Sequence, residues 1–134
     1  MSGEHDLKRL IANMSPVLAE DTYVFATLPG RDLPQGLAPR MTMQENESMT
    51  VIVTRDAARA AGLDYVFACR MITLNVHSAL DAVGFLAQVT SRLAGLGMGV
   101  NPVAGYYHDH LFVPEDRADG AMRALQELAR EAAG

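Results

Sequence analysis

The segment from Asn101 to Pro114 constrains the fold of this chain more than any other part of the sequence. Two short apolar stretches, Val100–Ala104 and Leu111–Val113, flank a turn that contains glycine, which is the pattern of a β-hairpin. The turn also carries side chains that a hairpin does not need for folding: Tyr106, Tyr107, His108, Asp109 and His110. The segment therefore predicts two antiparallel strands and a binding site at their connected end.

The rest of the second half supplies one further strand and two helices. An extended apolar run from Tyr65 to about Val76 predicts a strand. The segment Ala82–Leu96 predicts a helix because its apolar residues recur every three or four positions: Val83, Leu86, Val89, Leu93 and Leu96. After the hairpin, Asp116 is a suitable N-cap for a last amphipathic helix.

The first half has a similar set of predicted helices and strands. Helical spacing in Leu7–Met14 predicts a helix, which Pro16 ends. Three segments have the residue types of strands: Thr22–Leu28, Arg40–Glu45 and Met49–Thr54. A loop rich in proline and glycine separates the first two strands, and an alanine-rich helix over Asp56–Gly62 follows the third.

Both halves approach the split β-α-β-β-α-β unit, so we expect an α+β fold with antiparallel sheets and helices packed on one face. We place the boundary between an N-terminal unit, residues 1–68, and a C-terminal unit, residues 69–134. The second half lacks a final strand. Either an exchange of edge strands or a strand from the first half would complete its sheet.

Charge and cysteine content exclude several classes of protein. The formal net charge is −5 without a cluster of Lys and Arg, so we expect no binding to nucleic acid or to an anionic membrane. The polar N-terminus differs from a signal peptide, and no apolar run approaches the roughly 20 residues that span a bilayer. The single cysteine, Cys69, is predicted to be a core residue in a reducing compartment. We therefore expect a cytoplasmic protein.

Topology brings two polar segments to the same edge of the predicted sheet. The strand that ends near Val76 should lie beside the start of the strand that begins near His108, so His77, His108 and His110 would gather there. Alternation along the second strand places Asp109 on the face of Leu111 and Val113, and the two histidines on the opposite face. Thr73 is expected on the face of the histidines.

The helix predicted to begin near Ala82 directs its N-terminus at this edge. Its first N–H groups lack intrahelical acceptors and suit a carboxylate, and Ser78 or Asp81 is a candidate cap. Asp109 suits an ammonium group, although Arg70 is an alternative structural partner. Gly84 permits close approach of a ligand. These features predict a pocket for a zwitterion.

At these residues the chain resembles a known family, the short bacterial proteins built from tandem ACT domains. The resemblance extends over nearly the whole chain and rests on five segments: Met14–Pro16, Tyr23–Phe25, Ile72–Ser78, Ala82–Gly84 and Asn101–Pro114. Val83-Gly84 and the strand Asp109–Pro114 are also similar to the ACT modules of vertebrate cytosolic arginine sensors.

The resemblance implies a ferredoxin-like ACT fold and a non-catalytic, allosteric sensor of amino acids or similar small ligands, and we expect neither a cofactor nor a metal. It implies a homodimer in which the ligand occupies the loop after the first strand, at an interface between ACT units. Carried over to this sequence, the ligand-binding residues are His77, Ser78, Ala79, Leu80, Val83 and Gly84, together with Asn101, His108 and Asp109 of the hairpin.

One departure and two alternatives qualify this interpretation. The family has an acidic-glycine turn where this chain has Glu47-Ser48, which leaves open whether the first half contributes to the pocket. One alternative is a metal-dependent enzyme that uses His77, His108 and His110 as ligands, a set compatible with zinc. The other is a purely structural dimerisation module in which the pocket is closed.

Overall fold

A computed structural model describes residues 3–134, which form two compact units. The central unit is Asp21–Cys69, and the composite unit combines Met1–Glu20 with Arg70–Gly134. The helices are α1 (Leu7–Asn13), α2 (Arg55–Ala60), α3 (Phe85–Ala94) and α4 (Ala118–Ala133). The strands are β1 (Pro16–Leu28), β2 (Met41–Gln44), β3 (Met49–Thr54), β4 (Tyr65–Leu74), β5 (Asn101–Ala104) and β6 (Asp109–Pro114).

The composite unit has the strand order β1-β4-β6-β5. Its part of β1 consists of the residues before Asp21, and Arg70 Nε donates a 3.0 Å hydrogen bond to the carbonyl oxygen of Ala19. This stretch of β1 stands where a split β-α-β-β-α-β unit has its final strand. Of the two predicted ways to complete the sheet of the second half, the strand order therefore supports a strand from the first half over an exchange of edge strands.

The core of the composite unit lies between this sheet and the helices α1, α3 and α4. Leu74 of β4 and Leu111 of β6 are fully buried against the helices, as the alternation predicts. The inward face of α3 differs from the predicted stripe at both ends. Its buried side chains are Phe85, Val89 and Leu93, whereas Val83 and Leu96 are exposed.

The predicted start of α3 at Ala82 is wrong by three residues, because the helix begins at Phe85. The residue before it, Gly84, has a φ of 92°, which is a left-handed conformation that an α-helix does not contain. The last helix also begins differently from the prediction. A short 3₁₀ turn over Glu115–Arg117 precedes α4, and Asp116 lies within this turn rather than at the N-cap.

The central unit has the strand order β2-β3-β1-β4, and β3 pairs antiparallel with both β1 and β2. Its core is formed by one face of these strands and by Ala58 of α2. Cys69 is fully buried and its thiol donates to the carbonyl oxygen of Tyr23, which agrees with a structural role. The hydroxyl of Ser48 accepts a 2.6 Å hydrogen bond from Thr27.

The predicted fold class, α+β with antiparallel sheets and helices on one face, is confirmed. The boundary between the two tandem units, placed between residues 68 and 69, stays a prediction. Within residues 3–134, no helix combines the length and the apolar character that crossing a bilayer requires.

Candidate functional site

Asp109 is a buried carboxylate whose position follows from the pattern of β6. Leu111 and Val113 face the helices, so alternation turns Asp109 to the same face, where 5% of the residue is exposed. Ser78, also buried, donates a hydrogen bond of 2.8 Å from its hydroxyl to Oδ2 of Asp109. The alternative partner from the sequence, Arg70, donates instead to the backbone of β1.

Residues 77–84, which form most of the segment between β4 and α3, are called the site loop below. Neither of the caps predicted for α3 is present, because Ser78 bonds to Asp109 and Asp81 lies 2.7 Å from a ring nitrogen of His5. Gly84 occupies the N-cap and provides no side-chain hydrogen bond. The N–H groups of the first turn of α3 therefore remain available for an anionic group.

A pocket of about 140 Å³ opens between the site loop, the first turn of α3 and the hairpin. Its lining consists of Ser78, Ala79, Leu80, Ala82, Gly84, Phe85, Leu86, Ala87, Ala104 and Asp109. Asp109 is the one charged residue among the described residues of this lining. A site with a single carboxylate, uncapped amides and apolar walls can hold a small molecule that carries both an ammonium and a carboxylate group.

Five of the nine residues predicted from the sequence line this pocket: Ser78, Ala79, Leu80, Gly84 and Asp109. The other four lie outside its lining. Val83 is 85% exposed, and Asn101 is exposed at the start of β5 opposite Phe112. His108 is partly buried and its carbonyl oxygen accepts a hydrogen bond from Gly105. The ring of His77 lies 5.3 Å from that of Tyr107, measured between centroids.

The sequence interpretation missed the other five lining residues. Three of them, Phe85, Leu86 and Ala87, form the first turn of α3. They would have been found had Gly84 been recognised as the N-cap rather than as a helical residue. Ala104 pairs with Asp109 in the hairpin register, so the hairpin pattern itself contained the signal for this residue.

The histidines of this region have other contacts. Thr73 and His110 lie on the same face of the sheet, as predicted, and their Oγ1 and Nδ1 atoms are 2.9 Å apart. Within residues 3–134, no group of three His, Cys, Asp or Glu side chains is arranged to hold a metal ion. The alternative of a metal-dependent enzyme based on these histidines therefore has no ligand set in the described part of the chain.

Comparisons with known sequences agree with the fold described above. Two family models, both described as the ACT domain, match residues 2–70 and residues 66–127. Among proteins with curated descriptions, none matches the chain significantly.

Several solved structures are similar to this one. A Vibrio cholerae protein of unknown function, described as a possible transport protein, is 38% identical over 92% of this chain and 95% of its own, with a TM-score of 0.81. An Agrobacterium tumefaciens protein is 16% identical over 87% and 89% of the two chains, with a TM-score of 0.74. The regulatory subunit of aspartate kinase from Thermus flavus is 15% identical over 84% and 95%, with a TM-score of 0.67. The last two similarities concern the fold alone.

Proposed function

Because this chain belongs to the ACT domain family, we propose that it is a non-catalytic regulatory protein that binds a small amino acid in the pocket beside Asp109. A buried carboxylate is costly unless charged or polar groups compensate it. Asp109 is buried at the wall of a pocket and is bonded there by the neutral hydroxyl of Ser78. This combination is the observation that carries the proposal.

Two parts of the pocket lining, Asp109 and the first turn of α3, suit the two charged groups of an amino acid. The ammonium group would donate a charge-assisted hydrogen bond to Asp109, whose two carboxylate oxygens can accept several hydrogen bonds. The α-carboxylate would lie at the first turn of α3, where N–H groups and the positive end of the helix dipole favour an anion. Ser78, Ala79, Leu80 and Gly84 would contact the ligand from the site loop.

The size and charge of the pocket indicate a small, neutral ligand side chain. The volume is about 140 Å³, close to that of an engineered cavity of about 150 Å³ that holds benzene. The enclosed part therefore has room for about six non-hydrogen atoms, roughly the size of alanine or serine. The described lining offers no second charged side chain for a lysine, arginine, aspartate or glutamate ligand.

Regulation would act through association of ACT units, as a homodimer. A ligand that binds one arrangement of the units more tightly than another shifts the equilibrium between them. Similarity in fold to a regulatory subunit of aspartate kinase supports a regulatory role. The predicted contacts of His77, Val83, Asn101 and His108 remain part of the proposal, since an arriving partner or ligand could engage them from outside the pocket.

A thermal-shift screen of the twenty amino acids tests this function. A ligand present at 100 times its dissociation constant stabilises the folded state by about 2.7 kcal/mol. We expect a small neutral amino acid to raise the Tm of the wild-type protein and to have no effect on Asp109→Asn. Asp32→Asn is the matched control, because Asp32 is exposed in the loop between β1 and β2. A screen without any stabilising amino acid would refute the proposal.

A further inference from the structure

The residues before α1 run alongside the site loop and bond to its backbone. The N–H of Glu4 donates to the carbonyl oxygen of His77, and the N–H of Ala79 donates to the carbonyl oxygen of Glu4, both at 2.9 Å. Glu4 and Ser78 form a parallel β-bridge at this point. Ser78, which holds Asp109, is thus flanked on both sides by backbone hydrogen bonds to a segment distant in sequence.

Gly3 lies too close to the site loop for any other residue type. A Cβ atom at this position would be 2.6 Å from the backbone nitrogen of Ala79, and the φ of Gly3 is +102°. Both the space and the backbone conformation therefore require glycine. Because the neighbouring atoms belong to the backbone of the loop, a side chain here would have to displace either the loop or the segment itself.

Two side-chain contacts extend the same arrangement along the loop. His5 Nε2 lies 2.7 Å from Oδ1 of Asp81, and both side chains are more than half exposed. A Cβ atom on Gly84 would be 3.4 Å from the Cδ2 atom of Leu7, so the start of α1 packs against the N-cap of α3. The segment Gly3–Leu7 thereby contacts the site loop from its beginning to its end.

We propose that Gly3–Leu7, here named the N-terminal brace, is a positioning element of the ligand pocket. The brace holds the site loop in the conformation that directs Ser78 at Asp109 and exposes the first turn of α3 to the pocket. This inference rests on the proposed function for its consequence in ligand binding. Its mechanical part, the restraint of the loop by the brace, does not depend on the identity of the ligand.

The brace gives the pocket a means of regulation. The described contacts of Gly3–Asp6 with the site loop are two backbone hydrogen bonds and one exposed pair, whereas Leu7 packs against the core. The part of the brace before Leu7 therefore opens at low free energy. When the brace detaches, the loop samples other conformations. The apparent affinity for the ligand is then the intrinsic affinity multiplied by the fraction of molecules whose pocket can bind. By linkage, a bound ligand must stabilise the attached brace to the same extent.

Gly3→Ala is the direct test, because the added methyl group meets the backbone of Ala79. Gly36→Ala is the matched control: Gly36 also has a positive φ, +84°, but a Cβ there meets nothing within 4 Å. If the substitution leaves about one molecule in ten with the brace attached, titration calorimetry with the amino acid from the screen gives a roughly tenfold higher Kd for Gly3→Ala. Gly36→Ala retains the wild-type Kd.

A second pair of variants tests the brace without altering glycine. His5→Ala and Asp81→Ala each remove one partner of the exposed pair, and the double variant shows whether their effects on Kd are coupled. Amide hydrogen exchange at Ala79 is measured in parallel without ligand. We expect faster exchange in Gly3→Ala and in both single variants, and slower exchange of Ala79 and Glu4 in the wild type when the ligand is bound.

The outcomes separate the brace from the proposed function. A wild-type protein that binds an amino acid, with unchanged Kd and exchange in Gly3→Ala, refutes the brace and leaves the function intact. A wild-type protein that binds none refutes the function, and exchange at Ala79 then decides on the brace alone. Faster exchange in Gly3→Ala than in Gly36→Ala supports it, and equal exchange overturns it.

Discussion

The hydroxyl of Ser78 and the carboxylate of Asp109 are joined by a hydrogen bond of 2.8 Å, although thirty-one positions separate them in the sequence. The bond connects the site loop after β4 to the first residue of β6. Since both residues are buried, it couples the position of the loop to the register of the hairpin. The shape of the pocket and the stability of the composite unit therefore depend on the same contact.

Ser78→Ala should destabilise the protein and weaken ligand binding together. The substitution removes a donor from a buried carboxylate, which costs about 1–3 kcal/mol when the acceptor is left without that partner. Urea denaturation measures this change in the free energy of unfolding. Ser91→Ala is the control, because Ser91 is exposed on α3 and should change stability by less than about 0.5 kcal/mol. Equal stability of the two variants would contradict a structural role for the bond.

Ala104→Leu should abolish ligand binding without unfolding the protein. Ala104 is exposed on β5 and lines the pocket, so a leucine side chain fills part of its roughly 140 Å³ at little structural cost. The measurement is the thermal shift with the amino acid that stabilises the wild type. Ala38→Leu makes the same exchange at an exposed position in the loop between β1 and β2, outside the lining, and should retain the shift. A shift that Ala104→Leu retains would place the ligand outside this pocket.

Leu93→Ala should lower the free energy of unfolding by about 2–5 kcal/mol, because it leaves a cavity in a closely packed core. Leu93 is fully buried on α3, whereas Leu96, just beyond the helix, is 47% exposed. Leu96→Ala is thus a control with identical chemistry and should cost much less. Chemical denaturation of both variants gives the comparison, and similar losses would show that the core boundary at the end of α3 is misplaced.

The ion pair between Arg92 and Glu131 should contribute stability that depends on pH. The hydrogen bonds from Arg92 lower the pKa of Glu131 below its usual value, with desolvation opposing them and the positive charge of Arg92 adding to them. Because the pKa of the folded protein is lowered, the contribution is complete above the ordinary glutamate pKa and is lost as the pH falls through the lowered pKa. The side chain of Glu131 is 59% exposed and that of Arg92 is 30% exposed, so solvent and salt screen the pair and the effect is small.

Thermal unfolding of Glu131→Gln between pH 2 and 7 measures this contribution. The difference in Tm from the wild type should be present near neutral pH and should vanish at the acid end. Glu47→Gln, which changes an exposed carboxyl group in the turn between β2 and β3, should parallel the wild type throughout. A constant difference for Glu131→Gln across the range would show that the carboxylate contributes through packing and not through its charge.

Contacts that depend on local periodicity were predicted well from the sequence. Alternation along β6 was sufficient to place Asp109 with Leu111 and Val113 at the core, because successive side chains of a strand point to opposite faces of the sheet. The same reasoning placed Thr73 beside His110. Topology then brought Ser78 near Asp109, although their direct hydrogen bond was not foreseen.

Features that depend on distant partners could not be predicted in this way. The start of α3 was misplaced because Ala82 and Val83 fit a helical stripe, and only the left-handed conformation of Gly84 excludes them from the helix. The extension of β1 back to Pro16 depends on its neighbour β4, whose residues follow much later in the chain. Nothing in the composition of the N-terminal brace indicates its contacts with the site loop.

The division of β1 between the two compact units has a consequence for protein engineering. Its residues before Asp21 complete the sheet of the composite unit, and Leu10 and Ile11 of α1 are buried in that core. A fragment that starts at Arg70 would therefore lack a strand and a helix, and it would leave the edge of β4 open to association with other chains. Truncation alone would therefore not give a self-sufficient C-terminal module. Such a module would need residues 1–20 joined to the chain after α4, as in a circular permutation.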